Sequence, residues 1–468
     1  MAYTSPMTMA SAVATADDDP GHATIPPAVA ARHAAKVARI ADQLRRHPGD
    51  RPVSLRKRSV SHQVPKATDL RRHDDKIDIG DLTEILAVDP VARICVAESG
   101  VTFVDLVAAT MQHGLVPIVV PELKTITIGG AVAGCSIESM SFHAGGFHDT
   151  CLGYEVVAAT GEVLTCTPTN AHADVFEMVH GTFGTLGVLT RLTFRLVPAK
   201  RFVHLVHEKH TTLAAYLAAI ERHVAAADVD FIDGIIHGPA LWVLCLGRFV
   251  DHAPYTSNYE WMKIYYQSTA TRAEDYLPTA DYFFRYDRGV TNVRPRSFVG
   301  RLLFGKLLSS TQWLWLGDKL HRLLPTEQPT ITLDVFVPMR NVPAFMDWYQ
   351  REFAFFPLWC VPYRVVKNYP WLEAALHPPP GDNLFLDLAI YGMRQRGRDG
   401  RNYHRLMEQK LNELGGFKTL IAHNYYPEPE FWTIWNKPNY DAVKAQTDPR
   451  NLLRGLYEKT CRAQMGMR

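Results

Sequence analysis

Two groups of glycines are the residues best suited to chemistry in this sequence. Gly129, Gly130 and Gly134 lie in TITIGGAVAGCSIES, and Gly184 and Gly187 precede an alternating apolar stretch. Backbone without side chains can approach an anionic group closely, and successive N–H groups form a concave anion site. A single glycine pair is more often a plain turn. The two groups together predict a site for a pyrophosphate.

Short strands and helices must position these glycines. Thr102 and Asp105 predict a capped helix start, and Gly114 ends that helix. Apolar and polar residues alternate over 191–196, which predicts a strand with one buried face. No strand–GxGxxG–helix pattern occurs, which argues against a Rossmann domain. The other predicted elements are a helix over 32–47, strands over 51–58, 93–97 and 115–120, and a hairpin of 154–159 with 162–166.

The second half of the sequence predicts a separate antiparallel sheet. Its later elements follow the β-α-β-β-α-β order of a ferredoxin-like unit. We expect one sheet covered by helices that lies over the first domain as a substrate cap, with a ligand pocket between the two. The predicted strands are 204–207, 231–237, 241–249, 331–337, 358–363, 384–391 and 418–423, and the helices are 213–226, 342–353 and 401–414. The fold class is α+β, with a disordered tail over 1–30 and domains over 31–198 and 199–468.

Several motifs resemble one family. PELKTITIGGAVAGCSIES, AGGFHDTCLGYEVVAATGEVLTCTP and GTLGVLTRLTFRLVP are similar to the PCMH-type FAD-binding domain of the vanillyl-alcohol-oxidase superfamily. Within it, the Δ24-sterol reductase (seladin/Diminuto) branch is the most similar. The likeness continues into VFVPMRNV, PLWCVPYR, LFLDLAIYG and FKTLIAHNYYPEPEFWTIW, and so covers most of residues 50–460. The resemblance implies a two-subdomain FAD-binding domain followed by a substrate cap.

The resemblance also implies which residues hold the cofactor. Glu122 and Glu138 are the carboxylates closest to the flavin path, and for Glu138 a structural role competes with a catalytic one. His62 could occupy the position of a flavin-linking histidine, but its loop lacks glycine, so we expect a solvent-facing histidine and non-covalent FAD. The predicted cofactor-binding residues are Pro121, Glu122, Thr127, Ile128, Gly129, Gly130, Gly134, Ser136, Glu138, Ser139, Gly184 and Val188. No metal site is expected.

The sterol-reductase branch implies an NADPH-driven reductase that saturates a carbon–carbon double bond of a lipid. An isolated alkene has no carbonyl to polarise it, so hydride transfer from flavin N5 needs a proton donor in a dry pocket. The predicted donors are Tyr425, His423 and Tyr391, although such residues more often satisfy local hydrogen bonds. Arg285 and Arg288 could pair with an anionic group of NADPH or substrate, but a helix-surface salt bridge is the simpler interpretation.

Composition restricts the remaining choices. A net charge of +2 and the absence of nucleic-acid motifs argue against a nucleic-acid partner. Seven scattered cysteines without CxxC spacing favour reduced thiols and a cytoplasmic location. No apolar run reaches membrane-spanning length. The basic, Leu- and Trp-rich segment 301–324 predicts either a packed helix or peripheral contact with the inner face of the membrane. No obligate protein partner is evident.

Three functions remain open. The first is the lipid reductase, with either a sterol side chain or a methylene-branched or unsaturated fatty acyl chain as substrate. The sterol side chain is the family precedent, and the Ala- and Arg-rich composition suggests a bacterial source, which makes the fatty acyl chain a serious alternative. The second is an FAD-linked oxidase or dehydrogenase of an alcohol or hydroxy acid. The third is a lipid-binding protein that has lost its flavin.

Overall fold

The computed structural model describes residues 23–58, 69–260, 263–287, 331–393 and 400–467. The sequence-based predictions for His62, Arg288 and segment 301–324 lie outside these described residues. Within the described ranges, no helix combines the length and the apolar character that crossing a bilayer requires.

The N-terminal domain begins with a long amphipathic helix. It starts at Pro27, five residues before its predicted start, because proline is well suited to the first helical position, and it buries Val37, Ile40 and Leu44. The elements that follow are β1 (Val53–Arg56), β2 (Asp75–Asp78), β3 (Ile85–Asp89), β4 (Ile94–Glu98), α2 (Phe103–Thr110), β5 (Leu115–Pro117), α3 (Ile128–Ala133), α4 (Ser141–Ala144), β6 (Cys151–Val157), β7 (Val163–Cys166), α5 (Ala173–Met178) and β8 (Val188–Pro198), with α1 spanning Pro27–Arg46.

Two sheets organise this domain. Strands β1 and β2 pair in parallel, and a six-stranded antiparallel sheet has the order β3-β4-β8-β6-β7, with β5 also paired to β8. Strand β8 lies at the centre and alternates buried and partly buried residues over 188–194, as predicted. Thr102 caps α2 by accepting a hydrogen bond from the Asp105 N–H, and Gly114 ends the following turn at φ 67°. The sequence therefore predicts the central elements of this domain correctly.

The C-terminal half forms one eight-stranded antiparallel sheet, in agreement with the prediction. Its order is β12-β9-β11-β10-β14-β15-β13-β16, and all of its strand pairs are antiparallel. The elements are β9 (Phe202–His210), α6 (Leu213–Ala226), β10 (Phe231–Gly238), β11 (Leu241–Val250), α7 (Tyr265–Ser268), β12 (Glu274–Pro278), α8 (Thr279–Phe283), β13 (Ile331–Pro338), α9 (Val342–Glu352), β14 (Leu358–Arg364), β15 (Leu384–Met393), α10 (Tyr403–Glu413), β16 (Phe417–Lys418), α11 (Glu428–Phe431) and α12 (Lys437–Thr447).

The two faces of this sheet pack against different partners. Side chains alternate between faces along a strand, so neighbouring residues enter different cores. Ile232, Leu333 and Leu388 pack against helices α6, α9 and α10. On β14, Leu358 and Cys360 belong to this helix-side core, whereas the alternate residues Trp359 and Val361 join the core of the N-terminal domain. Each fully buried side chain of this size contributes about 1.5–3 kcal/mol to folding, so the sheet is tied firmly to both layers.

The end of the chain returns to the N-terminal domain, which the assignment of 199–468 to one C-terminal domain does not anticipate. The Lys444 ammonium donates to the Thr185 and Leu453 carbonyls, and the Ala159 N–H donates to the Thr447 carbonyl. A parallel bridge joins Leu453 to strand β1. Strand 418–423 is also shorter than predicted, because only Phe417–Lys418 pair with β13 before the chain turns away.

Candidate functional site

A large cavity lies on the N-terminal domain, where the glycine segments meet the end of the chain. Its volume is about 960 Å³, at the upper end of the usual size of ligand pockets. The wall is built from the start of α3, the turn before β8, the ends of β1 and β2, and the 459–464 segment. The cavity is thus assembled from parts of the chain that are far apart in sequence.

Glycines allow these walls to come together. A Cβ atom on Gly129 would lie 2.7 Å from the Ser99 Cβ and 2.9 Å from the Ser99 carbonyl oxygen. A Cβ atom on Gly100 would lie 2.3 Å from the Leu82 carbonyl oxygen. The α3 segment is a short helix, which was not predicted, and its Gly130 N–H is capped by the Thr127 hydroxyl at 3.2 Å. The glycines therefore permit close backbone packing beside the cavity.

Basic side chains give the cavity an electropositive wall. Lys57, Arg58, Arg72 and Lys76 lie on it, and none of these was predicted from the sequence. Asp69 is the one acid among the described lining residues, and it forms an ion pair with Arg71 at 2.7 Å. Exposed glycine backbone and surplus positive charge suit the pyrophosphate of a dinucleotide. The residues present therefore fit FAD.

Lys459 is the most unusual of the basic residues in this wall. Its ammonium donates a hydrogen bond to the Phe183 carbonyl at 2.6 Å. Burial lowers the pKa of Lys459 to about 7, and the positive charge of Arg71 contributes to this shift. An anionic group in the cavity would favour the charged ammonium. Lys459 follows no recognisable motif, so sequence reasoning had no means of identifying it.

The predicted cofactor-binding residues divide into two groups. Five of them line the cavity: Thr127, Gly129, Gly130, Ser136 and Gly184. The other seven are not among its lining residues: Pro121, Glu122, Ile128, Gly134, Glu138, Ser139 and Val188. Ile128 and Val188 are fully buried in hydrophobic cores. Ser139 accepts a backbone hydrogen bond from Ile232 and contacts the Tyr282 hydroxyl at 3.0 Å, so it joins the two domains.

A second polar site lies between the domains. Five carboxylates form what we call the carboxylate cluster: Glu122, Glu138, Asp233, Asp334 and Asp387. Arg285 lies among them, with its guanidinium 2.8 Å from Asp233 and 3.4 Å from Glu138. Arg285 is buried, which corrects the prediction of a helix-surface salt bridge. Its position follows from the turn after α8, which places residue 285 under the large sheet.

Burial changes the protonation of this cluster. It raises the pKa of Glu122 to about 7 and that of Asp334 to about 6. The pKa of Glu138 is raised well above its ordinary value by burial, although the charge of Arg285 opposes the change. The Tyr391 hydroxyl donates to Asp334 at 2.6 Å, and burial and this carboxylate raise the pKa of Tyr391. Burial therefore favours the protonated form of these acids at the domain interface.

Tyr391 contacts the carboxylate cluster through Asp334, whereas the other two predicted proton donors make different contacts. The rings of His423 and Tyr425 contact the ring of His404 on α10, at centroid distances of 5.8 and 5.5 Å. The Tyr425 N–H donates to Glu408, which also pairs with buried Lys418 at 3.0 Å. The three predicted donors are thus divided between two polar groups.

Comparison with known proteins identifies the first domain. A family model described as FAD binding domain matches residues 27–167. The chain is 28% identical to Delta(24)-sterol reductase of Homo sapiens over 408 residues, covering 82% of this chain and 77% of the reductase. The Arabidopsis thaliana Delta(24)-sterol reductase is 26% identical over 435 residues, covering 82% and 76%. Cytokinin dehydrogenase 2 of Oryza sativa is 31% identical over 162 residues, covering 32% and 28%.

Proposed function

We propose that this chain, an FAD-dependent oxidoreductase related to the Δ24-sterol reductases, saturates a carbon–carbon double bond of a hydrophobic lipid. The length of the similarity carries the proposal, because it includes 82% of the chain and therefore both domains. The similarity to a cytokinin dehydrogenase includes 32% of the chain. Since substrate choice resides in the site and not in the shared cofactor domain, the longer similarity favours the reductase.

The N-terminal cavity supports this proposal as the place where FAD is held. Gly129, Gly130 and Gly184 would admit the pyrophosphate to the backbone, and Thr127 would fix the start of α3. Lys459 would supply positive charge to the phosphates. When bound, FAD supplies the two-electron redox chemistry, and the protein contributes binding, orientation and exclusion of water.

The interface between the domains supports the proposed reductase function, and we propose it as the place where the substrate reacts. Its sheet face carries Trp359, Val361 and Phe336 beside the carboxylate cluster, so an apolar chain would meet protonated acids in a dry environment. We further propose NADPH as the electron donor. Tyr391, His423 and Tyr425 remain proposed catalytic residues, and a sterol side chain and a methylene-branched or unsaturated fatty acyl chain remain the proposed substrates.

Anaerobic reduction of the flavin tests the proposal. We expect NADPH to bleach the flavin absorbance, and a lipid alkene to restore it with the gain of two hydrogens in the lipid by mass spectrometry. The competing function is an oxidase or dehydrogenase of an alcohol or hydroxy acid. If an alcohol bleaches the flavin while NADPH leaves it oxidised, the competing function is correct.

A further inference from the structure

We propose that Asp387 is the proton donor to the alkene, an inference that rests on the proposed reductase function. Asp387 lies on β15, an interior strand of the large sheet, on the face that meets the N-terminal domain. Its cross-strand neighbours are Val361 on β14 and Phe336 on β13. The carboxyl group is therefore surrounded by apolar side chains in the layer where the two domains meet.

The two oxygens of Asp387 are buried without a well-aligned hydrogen bond to any side chain or backbone group of the described residues. The Leu388 N–H lies close enough to lower the pKa of Asp387, although burial and the neighbouring acids raise it. Leaving a buried polar group unsatisfied costs about 1–3 kcal/mol, so the position of this carboxyl group calls for an explanation, and a catalytic role is one.

The surroundings keep a proton on Asp387. Burial raises its pKa well above the ordinary value, and negative charge on Asp334, or on Glu122 and Glu138 whenever they are ionised, raises it further. The Arg285 guanidinium is engaged by Asp233 at 2.8 Å and by Glu138 at 3.4 Å. Among the described side chains no cation pairs with Asp387, so the Leu388 N–H is left to oppose the effect of burial on its pKa.

Asp387 is better suited to this step than Tyr391. Protonation of an isolated alkene requires a strong acid, and a carboxylic acid is intrinsically much stronger than a phenol. The Tyr391 hydroxyl already donates its proton to Asp334, and its pKa is raised above that of an ordinary tyrosine. Asp334, whose pKa is about 6, would in its carboxylate form also stabilise positive charge as it develops on the substrate.

In the proposed step, the alkene receives a proton from Asp387 and a hydride that reduced flavin would supply. The proton of the Asp387 carboxyl forms a C–H bond with the less substituted alkene carbon, using the π electron pair, and leaves the Asp387 carboxylate. With FAD bound, its reduced form would supply the hydride that neutralises the positive charge on the more substituted carbon. Asp387 regains a proton from water when the saturated product leaves, so the substrate gains one proton and one hydride.

The test compares Asp387→Asn with the matched control Asp230→Asn in the FAD-loaded full-length protein. Asn has the shape of a neutral Asp but is not an acid. Asp230 lies just before β10 and accepts a hydrogen bond from the Phe249 N–H, which an amide oxygen can also accept. The flavin is reduced with dithionite, then mixed anaerobically with a Δ24-unsaturated sterol or a methylene-branched fatty acyl lipid. Flavin spectra and thermal unfolding show that each variant is folded and loaded.

We expect Asp387→Asn to slow flavin reoxidation by the alkene about 10²- to 10⁴-fold, the usual contribution of a general acid. Reduction by dithionite should be unchanged, and Asp230→Asn should reoxidise at the wild-type rate. Reoxidation of Asp387→Asn within about threefold of wild type would overturn the assignment, since this lies well below the effect of a general acid.

An infrared measurement provides a readout independent of turnover. The difference spectrum of wild type minus Asp387→Asn at pH 7 should have a protonated-carboxyl C=O band, and the difference spectrum of wild type minus Asp230→Asn should lack that band. Absence of a difference would show that Asp387 is ionised and would also refute the proposal. If the wild-type flavin is not reoxidised by either lipid while the band is present, the reductase function itself has failed, and the donor role fails with it.

Discussion

Lys459 should make FAD binding depend on pH. Its pKa of about 7 means that, by ordinary titration, about 90% of the side chain is charged at pH 6 and about 10% at pH 8. If the phosphates of FAD require the charged form, the affinity of the wild-type protein falls about tenfold between these pH values. Because FAD would bind the protonated form of Lys459, its affinity is highest below pH 7 and decreases as the pH rises above 7.

Substitution of Lys459 by Met should remove this dependence. A hydrogen bond to a charged group contributes about 1.5–3 kcal/mol, so we expect FAD affinity at pH 6 to fall by roughly 10- to 150-fold. At pH 8 the difference from wild type should be about tenfold smaller, because most wild-type side chains are then neutral.

The assay is a titration of FAD into flavin-free protein at pH 6, 7 and 8, with binding monitored by flavin fluorescence. Lys437→Met is the matched control, since Lys437 is 47% exposed and pairs with Asp441 on the surface. Its affinity for FAD should equal that of the wild type at each pH. A wild-type affinity that is constant from pH 6 to pH 8, or a Lys459→Met protein with an unaltered affinity at pH 6, would refute the reasoning.

Two further predictions concern stability and cavity shape. Burial by itself lowers the pKa of His33, but the hydrogen bonds that its ring donates to the Glu155 and Glu98 carboxylates outweigh burial and raise the pKa to about 9. This shift corresponds to roughly 3 kcal/mol of stability that is present below pH 6.5 and lost as the pH rises through 9. Urea unfolding of His33→Gln should therefore differ from wild type much more at pH 6 than at pH 9.5; an equal difference at both would show that His33 is neutral. Gly129→Ala should destabilise the protein by about 1–3 kcal/mol and weaken FAD binding, because its Cβ meets Ser99 backbone, whereas Gly238→Ala, with open space, should do neither.

Much of the fold follows from local sequence pattern. Helix α6 has the predicted bounds, Leu213–Ala226, because its apolar residues recur at helical spacing and Thr212 caps it. The prediction of one antiparallel C-terminal sheet is also confirmed. Helix α3 was missed because glycines have low helix propensity, and here the Thr127 cap and contact with Ser99 stabilise it.

The site was predicted only in part, since spacing along a sequence does not report which distant segments meet. Gly129, Gly130 and Gly184 were predicted correctly, because glycine is itself the residue type that allows a ligand to approach the backbone closely. Lys459 and Asp387 have no such sign in the sequence. Lys459 reaches the cavity because the chain end folds back onto the first domain, and a lysine there differs from a surface lysine only in what surrounds it.

The sequence by itself determined the α+β class, the order of most strands and helices, and the glycine segments beside a cavity that fits FAD. The tertiary structure alone decided which charges share one environment. Asp233, Asp334 and Asp387 lie on three different strands, and register and burial place them beside Glu122 and Glu138 of the other domain. Electrostatic interaction depends on distance and desolvation through space, neither of which is encoded by the position of a residue along the chain.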